Sequence, residues 1–160
     1  FLSYPSAVYT VPYGVMVPKE VDNLLLPVPV SGSHIGFSTL RMEPCWMAMG
    51  QAAGIASALS IDGKVKVQNI DLSRLQDKLI DQKATLMYFK DVDYTSPHFR
   101  MVQYLGLRGY LPEWTARLQE PVDATTLAAW KKLSGTDLPG IEVGKTTRLA
   151  TLEMIYRKIK

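Results

Sequence analysis

Three side chains in the first third of this sequence could do chemistry. His34 lies in the Gly- and Ser-rich stretch 31–38. An imidazole exchanges its proton near neutral pH, so His34 could act as acid or base on a substrate, or bond its own loop. Arg41 is the only Lys or Arg between Lys19 and Lys64. A buried guanidinium needs an anion or several acceptors. Glu43 is the nearby candidate, and an anionic substrate group is the alternative. Cys45 stands at the start of an expected helix, where a thiol pKa falls, although a buried inert cysteine fits the position as well.

Other motifs are weaker. Gly140-Ile141-Glu142-Val143-Gly144-Lys145-Thr146 evokes a phosphate-binding loop. Such a loop needs four residues between its glycines and a strand leading in, and this one has three, preceded by Leu138-Pro139. It reads as a turn and helix start. Asp91 and Asp93 could approach a calcium ion, but one D-x-D is not a calcium loop, and Asp91 fits a backbone cap better. Trp114, beside Pro112 and Glu113, could stack on a sugar. The chain has one cysteine and two distant histidines, so no metal site is expected and no intrachain disulfide can form.

These residues require elements to position them. Alternation around residues 7–17 predicts short strands at 8–11 and 14–17, placed at edges by Pro12 and Pro18. The apolar run 23–30 predicts a strand buried on both faces, fraying after Leu26. Residues 31–38 read as loop. Pro44 suits a first helical turn, and residues 45–61 are apolar nearly all round, which predicts a buried helix ending at Gly63. Gly50, Ala53, Gly54 and Ser57 form a stripe of small residues that would let a backbone or a flat ligand come close. Asp71 caps an amphipathic helix with Leu72, Leu75, Leu79 and Ile80 inward. Beyond residue 88 the character changes. A helix after Ser96-Pro97 is stopped by Gly109, a second begins at Asp123 with Leu127, Trp130 and Leu133 inward, and a third begins at Thr146 or Thr147. The fold class expected is α+β, with short strands and a buried helix followed by a small three-helix module. Domains are expected at 1–87 and 88–160.

The 160 residues are 47% hydrophobic and 21% charged, an ordinary globular balance. A net charge of +3 is too small to argue for nucleic acid. Charge is uneven, however. Residues 1–60 hold five charged side chains, and residues 61–160 hold the other 28 of 33. The first stretch is therefore expected to be buried, here or against a partner domain. Residues 1–17 are apolar but broken by Pro5, Pro12 and Gly14, unlike a signal peptide. No run is long enough for a membrane span.

Residues 11–57 carry a resemblance. In order they present Val11-Pro12-Tyr13-Gly14, Val17-Pro18-Lys19, Asp22-Asn23-Leu24-Leu25, Ser31-Gly32-Ser33-His34-Ile35, Arg41-Met42-Glu43-Pro44 and Met49-Gly50-Gln51-Ala52-Ala53-Gly54. This pattern resembles the C-terminal part of the FAD-dependent oxidoreductases, in particular the branch often labelled xanthan lyase. The resemblance implies FAD as cofactor, with Arg41, Pro44, Gly50, Gln51 and Ala52 near the isoalloxazine ring, and His34 and Arg41 are the candidate catalytic residues. A helix N-terminus there would stabilise negative charge on the reduced ring. Where many relatives have a glycine after the buried strand, this chain has Pro27-Val28-Pro29.

No G-x-G-x-x-G follows a strand, so the dinucleotide-binding half is expected to lie before Phe1, as a partner domain of the same protein. The piece alone is then expected to be inactive and to bind FAD poorly. Residues 88–130 resemble an S-layer homology repeat through Phe89-Lys90-Asp91-Val92-Asp93, Tyr104-Leu105-Gly106-Leu107-Arg108-Gly109-Tyr110 and Glu120-Pro121-Val122, with a Thr147-Arg148 pair later. That resemblance implies a glycan or cell-wall attachment module and a periplasmic or extracellular location. The xanthan lyase label implies instead a polysaccharide lyase, with His34 as base and Arg41 as neutralising cation. The substrate, a small molecule or a glycan, is not written in the sequence.

Overall fold

A computed structural model describes residues 8–160. The chain divides into two compact units, Phe1–Ala84 and Thr85–Lys160. Each has its own core.

The first unit is helical. A 3-10 turn, Tyr13–Met16, is followed by helices α1 (His34–Leu40) and α2 (Glu43–Gly63), a second 3-10 turn at Val67–Asn69, and helix α3 (Leu72–Asp81). Ser33 caps α1 by accepting Gly36 N at 3.1 Å. Asp71 caps α3 by accepting Ser73 N at 2.8 Å and Arg74 N at 3.3 Å, leaving fewer amide donors of that helix end unpaired. Met16, Val30, Leu40, Met49 and Ala53 form one core cluster, with Tyr13, Leu25 and Trp46 packed against it. Leu75, Leu79 and Ile80 of α3 are buried, while Leu72 is exposed.

The expected α+β class is not what forms. Among the described residues there is no strand, and the sole ladder-type contact is an isolated bridge, Pro121 to Thr147. The reason is visible in the hydrogen bonds. A strand persists only where a neighbour takes up its N–H and C=O groups. Pro12, Pro18, Pro27 and Pro29 offer no N–H. The apolar run 24–30 instead lies along the first 3-10 turn, with Leu26 N donating to Met16 O and Ser31 N to Val15 O, both at 2.8 Å. Residues 14–17, read as strand, wind into that turn. Residues 8–11 have no regular structure, and the part of the apolar segment before Val8 lies outside the described residues. Conversely, the stretch read as loop at 31–38 contains most of α1.

Helix α2 also differs from expectation. It runs 21 residues but buries only Met49, Ala53, Ala56 and Leu59, one residue per turn along a single seam. Met47 is 75% exposed and Ile61 76%. The sequence is apolar on both sides, so periodicity could not distinguish a surrounded helix from one with an open apolar face.

In the second unit, α4 (Phe99–Gly106), α5 (Ala124–Ser134) and α6 (Arg148–Ile159) surround one core. Asp123 caps α5 through Thr126 N and Thr147 caps α6 through Ala150 N. Trp130 and Leu127 point inward as expected, but Leu133 is 51% exposed. Ile155 is fully buried on α6 beside Leu152. The irregular segments are clipped by buried polar groups. Gln103, fully buried, accepts Leu86 N and Met87 N at 2.8 Å each and donates to Met87 O at 2.7 Å. Trp130 Nε1 donates to Tyr110 O at 2.7 Å.

Candidate functional site

The residues singled out for chemistry fall on α1, α2 and the joint between them. His34 is the first residue of α1 and is exposed, with no side-chain hydrogen bond among the described residues. Arg41 follows the last residue of α1, its backbone N–H bonding Phe37 O at 3.1 Å. Seven residues of helix separate them by about 10 Å along the axis. They are therefore on one element but at opposite ends of it, and no hydrogen bond joins them. Arg41 is exposed and makes no ion pair with Glu43 among the described residues. The premise that it is buried and needs an anion does not hold, because water can solvate it.

Pro44 lies in the first turn of α2. That turn is a modest anion site. Its flanking residue Met42 offers no side-chain cap, Pro44 has no N–H, and Cys45 N and Trp46 N both bond Met42 O, at 2.9 and 3.2 Å. Glu43 N is the one amide of the first turn without a helical partner among the described residues, and the Glu43 carboxylate already sits in the positive end of the dipole. The Cys45 thiol is half-buried and directs its sulfur toward Thr39 O at 3.7 Å. Trp46 packs against the core cluster, but its indole N–H is buried with no acceptor among the described residues, which typically costs about 1–3 kcal/mol. Aromatic periodicity carries no signal for such an orphan, since it depends on what the fold places opposite the nitrogen.

Gly50, Gln51 and Ala52 fall on different sides of α2. Ala52 packs toward the core cluster. Gly50 and Gly54 are exposed, and a methyl group built on either would meet no atom within 4 Å. Gln51 Nε2 reaches across to Gln82 Oε1 at 2.9 Å, beyond the end of α3. The outer face of α2 is thus open, nearly uncharged and low in relief at its two glycines. A flat ring can approach such a backbone closely.

The weaker motifs resolve locally. Asp91 accepts Ala116 N at 2.9 Å and Arg117 N at 2.8 Å, tying two loops together. Asp93 accepts from Thr95 through both its backbone and its hydroxyl, which holds its pKa below the ordinary 3.8. Among the described residues no cluster of three metal-ligating side chains exists. In the glycine-rich stretch 140–146, Gly140 and Gly144 take positive φ of 78°, Lys145 pairs with Glu142 at 2.8 Å and Glu142 N bonds Thr146 Oγ1. It is a turn leading into α6, with its lysine already paired. Trp114 is 45% exposed while its carbonyl accepts Lys90 N.

Arg148 was noticed in the sequence only as half of a Thr-Arg pair. It is partly buried at the first position of α6, where the helix dipole disfavours a cation. Its Nε donates to Ala116 O at 3.0 Å, and its guanidinium lies 5.0 Å from the centre of the Trp130 ring. Burial and then the nearby Arg117 push its pKa down.

Comparison with known proteins adds one positive finding. Residues 2–79 match the sequence model of the family described as FAD dependent oxidoreductase, so this segment is similar to that family. The matched span ends within α3, inside the first compact unit. No curated protein and no solved structure matches the chain.

Proposed function

We propose that residues 1–87 complete the flavin and substrate site of an oxidoreductase that transfers hydride between FAD and an organic substrate. The family match over residues 2–79 carries this reading. The open face of α2 supports it, since Gly50 and Gly54 leave room for a ring against the backbone. Gln51 and the exposed Arg41 are the polar groups that would meet the ring edge, Pro44 would border it, and Ala52 would hold the helix to its core. FAD, when bound, supplies the hydride acceptor. His34 would hold or release a substrate proton. The pyrophosphate of FAD would be gripped by a glycine-rich strand–turn–helix. These 160 residues contain none, so a partner segment must supply that grip and the chain alone is inactive. The test is absorbance near 450 nm of protein carrying both segments. Flavin that is retained by the pair and lost when Gly50 is changed to Leu supports the reading. A colourless pair, or colour indifferent to Gly50→Leu, refutes it.

A second reading concerns residues 88–160, as a module that docks on glycan or cell-wall polymer. Arg148 favours it. A partly buried cation placed against a helix dipole and beside Arg117 breaks local rules of charge placement, a pattern that marks functional positions. Among the described residues only its Nε finds an acceptor, which leaves its terminal nitrogens for an acidic sugar, with the exposed Trp114 as a stacking surface. Retardation of the full chain in gels containing an acidic polysaccharide, reduced by Arg148→Gln and by Trp114→Ala, is the expected result. Unretarded migration rejects the module as a glycan binder.

A further inference from the structure

We propose that the C-terminal end of α2 carries a second small-molecule site, one that takes a phosphorylated organic compound of sugar size. The site is an open cavity of about 480 Å³ whose polar lining comes from Asn23, Ser57, Ser60, Lys64 and Lys66. That volume is within the range that small ligands occupy. It is not the flavin face. From Pro44 to Ser60 the helix advances about 24 Å.

The hydrogen-bond inventory gives the ligand its sign. Ser57 Oγ donates to Ala53 O, and Ser60 Oγ donates to Val65 O, so both serine protons are committed inside the fold. Asn23 Oδ1 accepts Val67 N, and the Asn23 amide N–H groups have no acceptor among the described residues. Lys66 pairs with Asp22. The Lys64 ammonium has no hydrogen-bond or ion-pair partner among the described residues. The groups at the cavity are therefore the Lys64 ammonium, the Lys66 ammonium already shared with the Asp22 carboxylate, and an amide donor, two cations to one anion, a balance that suits a further anion. Ile61 and Val65 add apolar wall beside it, which suits an organic phosphate better than the bare ion.

The backbone is left-handed at the same place, as it also is at Lys83 and Arg117 away from the cavity. Lys64 ends α2 in the left-handed conformation, φ 50°, while glycine stands one position earlier at Gly63. Helices normally give that conformation to glycine, because a Cβ there is strained. Asn23, across the same cavity, also has positive φ, at 57°. A cation at the end of a helix is favoured by the dipole, but an ordinary αR or αL-glycine ending could place one nearby without the strain.

The test separates the role from the fold. In the full chain, amide and side-chain NMR shifts are followed during titration with ribose 5-phosphate, with inorganic phosphate and sodium chloride at matched ionic strength as controls. The expected result is a saturable shift at Asn23, Lys64 and Lys66 with ribose 5-phosphate, weaker with phosphate and absent with chloride. Lys64→Gly relieves the strained backbone, so its melting temperature should hold or rise while affinity falls about tenfold. Equal responses to chloride, no saturation, or unchanged affinity in Lys64→Gly would each overturn the proposal.

Discussion

Replacing both Gly50 and Gly54 of α2 by alanine should stabilise the first unit, and the amount follows from three observations. Both residues are interior to a 21-residue helix, as its eighth and twelfth positions. Both are exposed, so a new methyl group gains no burial. Neither methyl would meet an atom within 4 Å, so there is no clash to relax. Only helix propensity remains, about 0.8–1.0 kcal/mol per Gly→Ala change. The double variant should therefore gain about 2 kcal/mol, or roughly thirtyfold in the folding equilibrium. Hydrogen exchange of α2 amides reads this unit specifically, and protection of the slowest amides should rise by about that factor. In protein that retains flavin, the same pair of methyl groups should lower flavin retention, because they occupy the space through which the ring approaches. Opposite signs in the two assays are the signature of an open ligand face. Unchanged or reduced protection would mean that the glycines are packed rather than open, and the reasoning would fail. A rise in both assays would place the flavin elsewhere.

Gln103→Leu should destabilise the second unit by about 3 kcal/mol or more in urea unfolding, since it strands two amides and one carbonyl at a fully buried position. A loss below about 1 kcal/mol would show that water reaches these groups. Asp123 has its carboxyl held below the ordinary 3.8, first by the Thr126 hydroxyl and then by the Thr126 amide. Its contribution is therefore present above that value and lost as pH falls through the lower folded pKa. Asp123→Asn should keep the cap at neutral pH and flatten the acid limb of an unfolding profile. An unchanged acid limb argues against this assignment. Arg41→Ala should leave melting temperature within the small range typical of exposed positions, and a drop of several degrees would reveal a buried partner for the guanidinium.

Several features were legible because their causes are local. Asp71, Asp123 and Thr147 each precede a helix and accept its first amides, and a cap depends only on residues within one turn. Spacing also placed Leu75, Leu79 and Ile80 of α3 inward, though not the exposed Leu72. The joint of Arg41 and Pro44 with the start of α2 was likewise readable, as was the stripe of small residues on that helix. The class was not. The runs at 8–11, 14–17 and 23–30 have strand composition, but a strand is a property of two neighbours, and these residues found a 3-10 turn to bond instead of a ladder. Local composition alone could not report that.

Burial was equally hidden. Met47, Ile61 and Leu133 are apolar and exposed, while Gln103 is polar and fully buried, because exposure depends on which element lies opposite. Arg148 and Lys64 were inconspicuous in the sequence for the same reason. One became notable only when Arg117 and Trp130 were placed beside it, the other when its backbone turned left-handed at the rim of a cavity. The sequence by itself determined where α3, α5 and α6 begin, how they are capped and which family residues 11–57 resemble. Tertiary structure decided whether apolar runs pair as strands, which face of α2 stays open and which charges lack partners, since each of these depends on groups far apart in the chain.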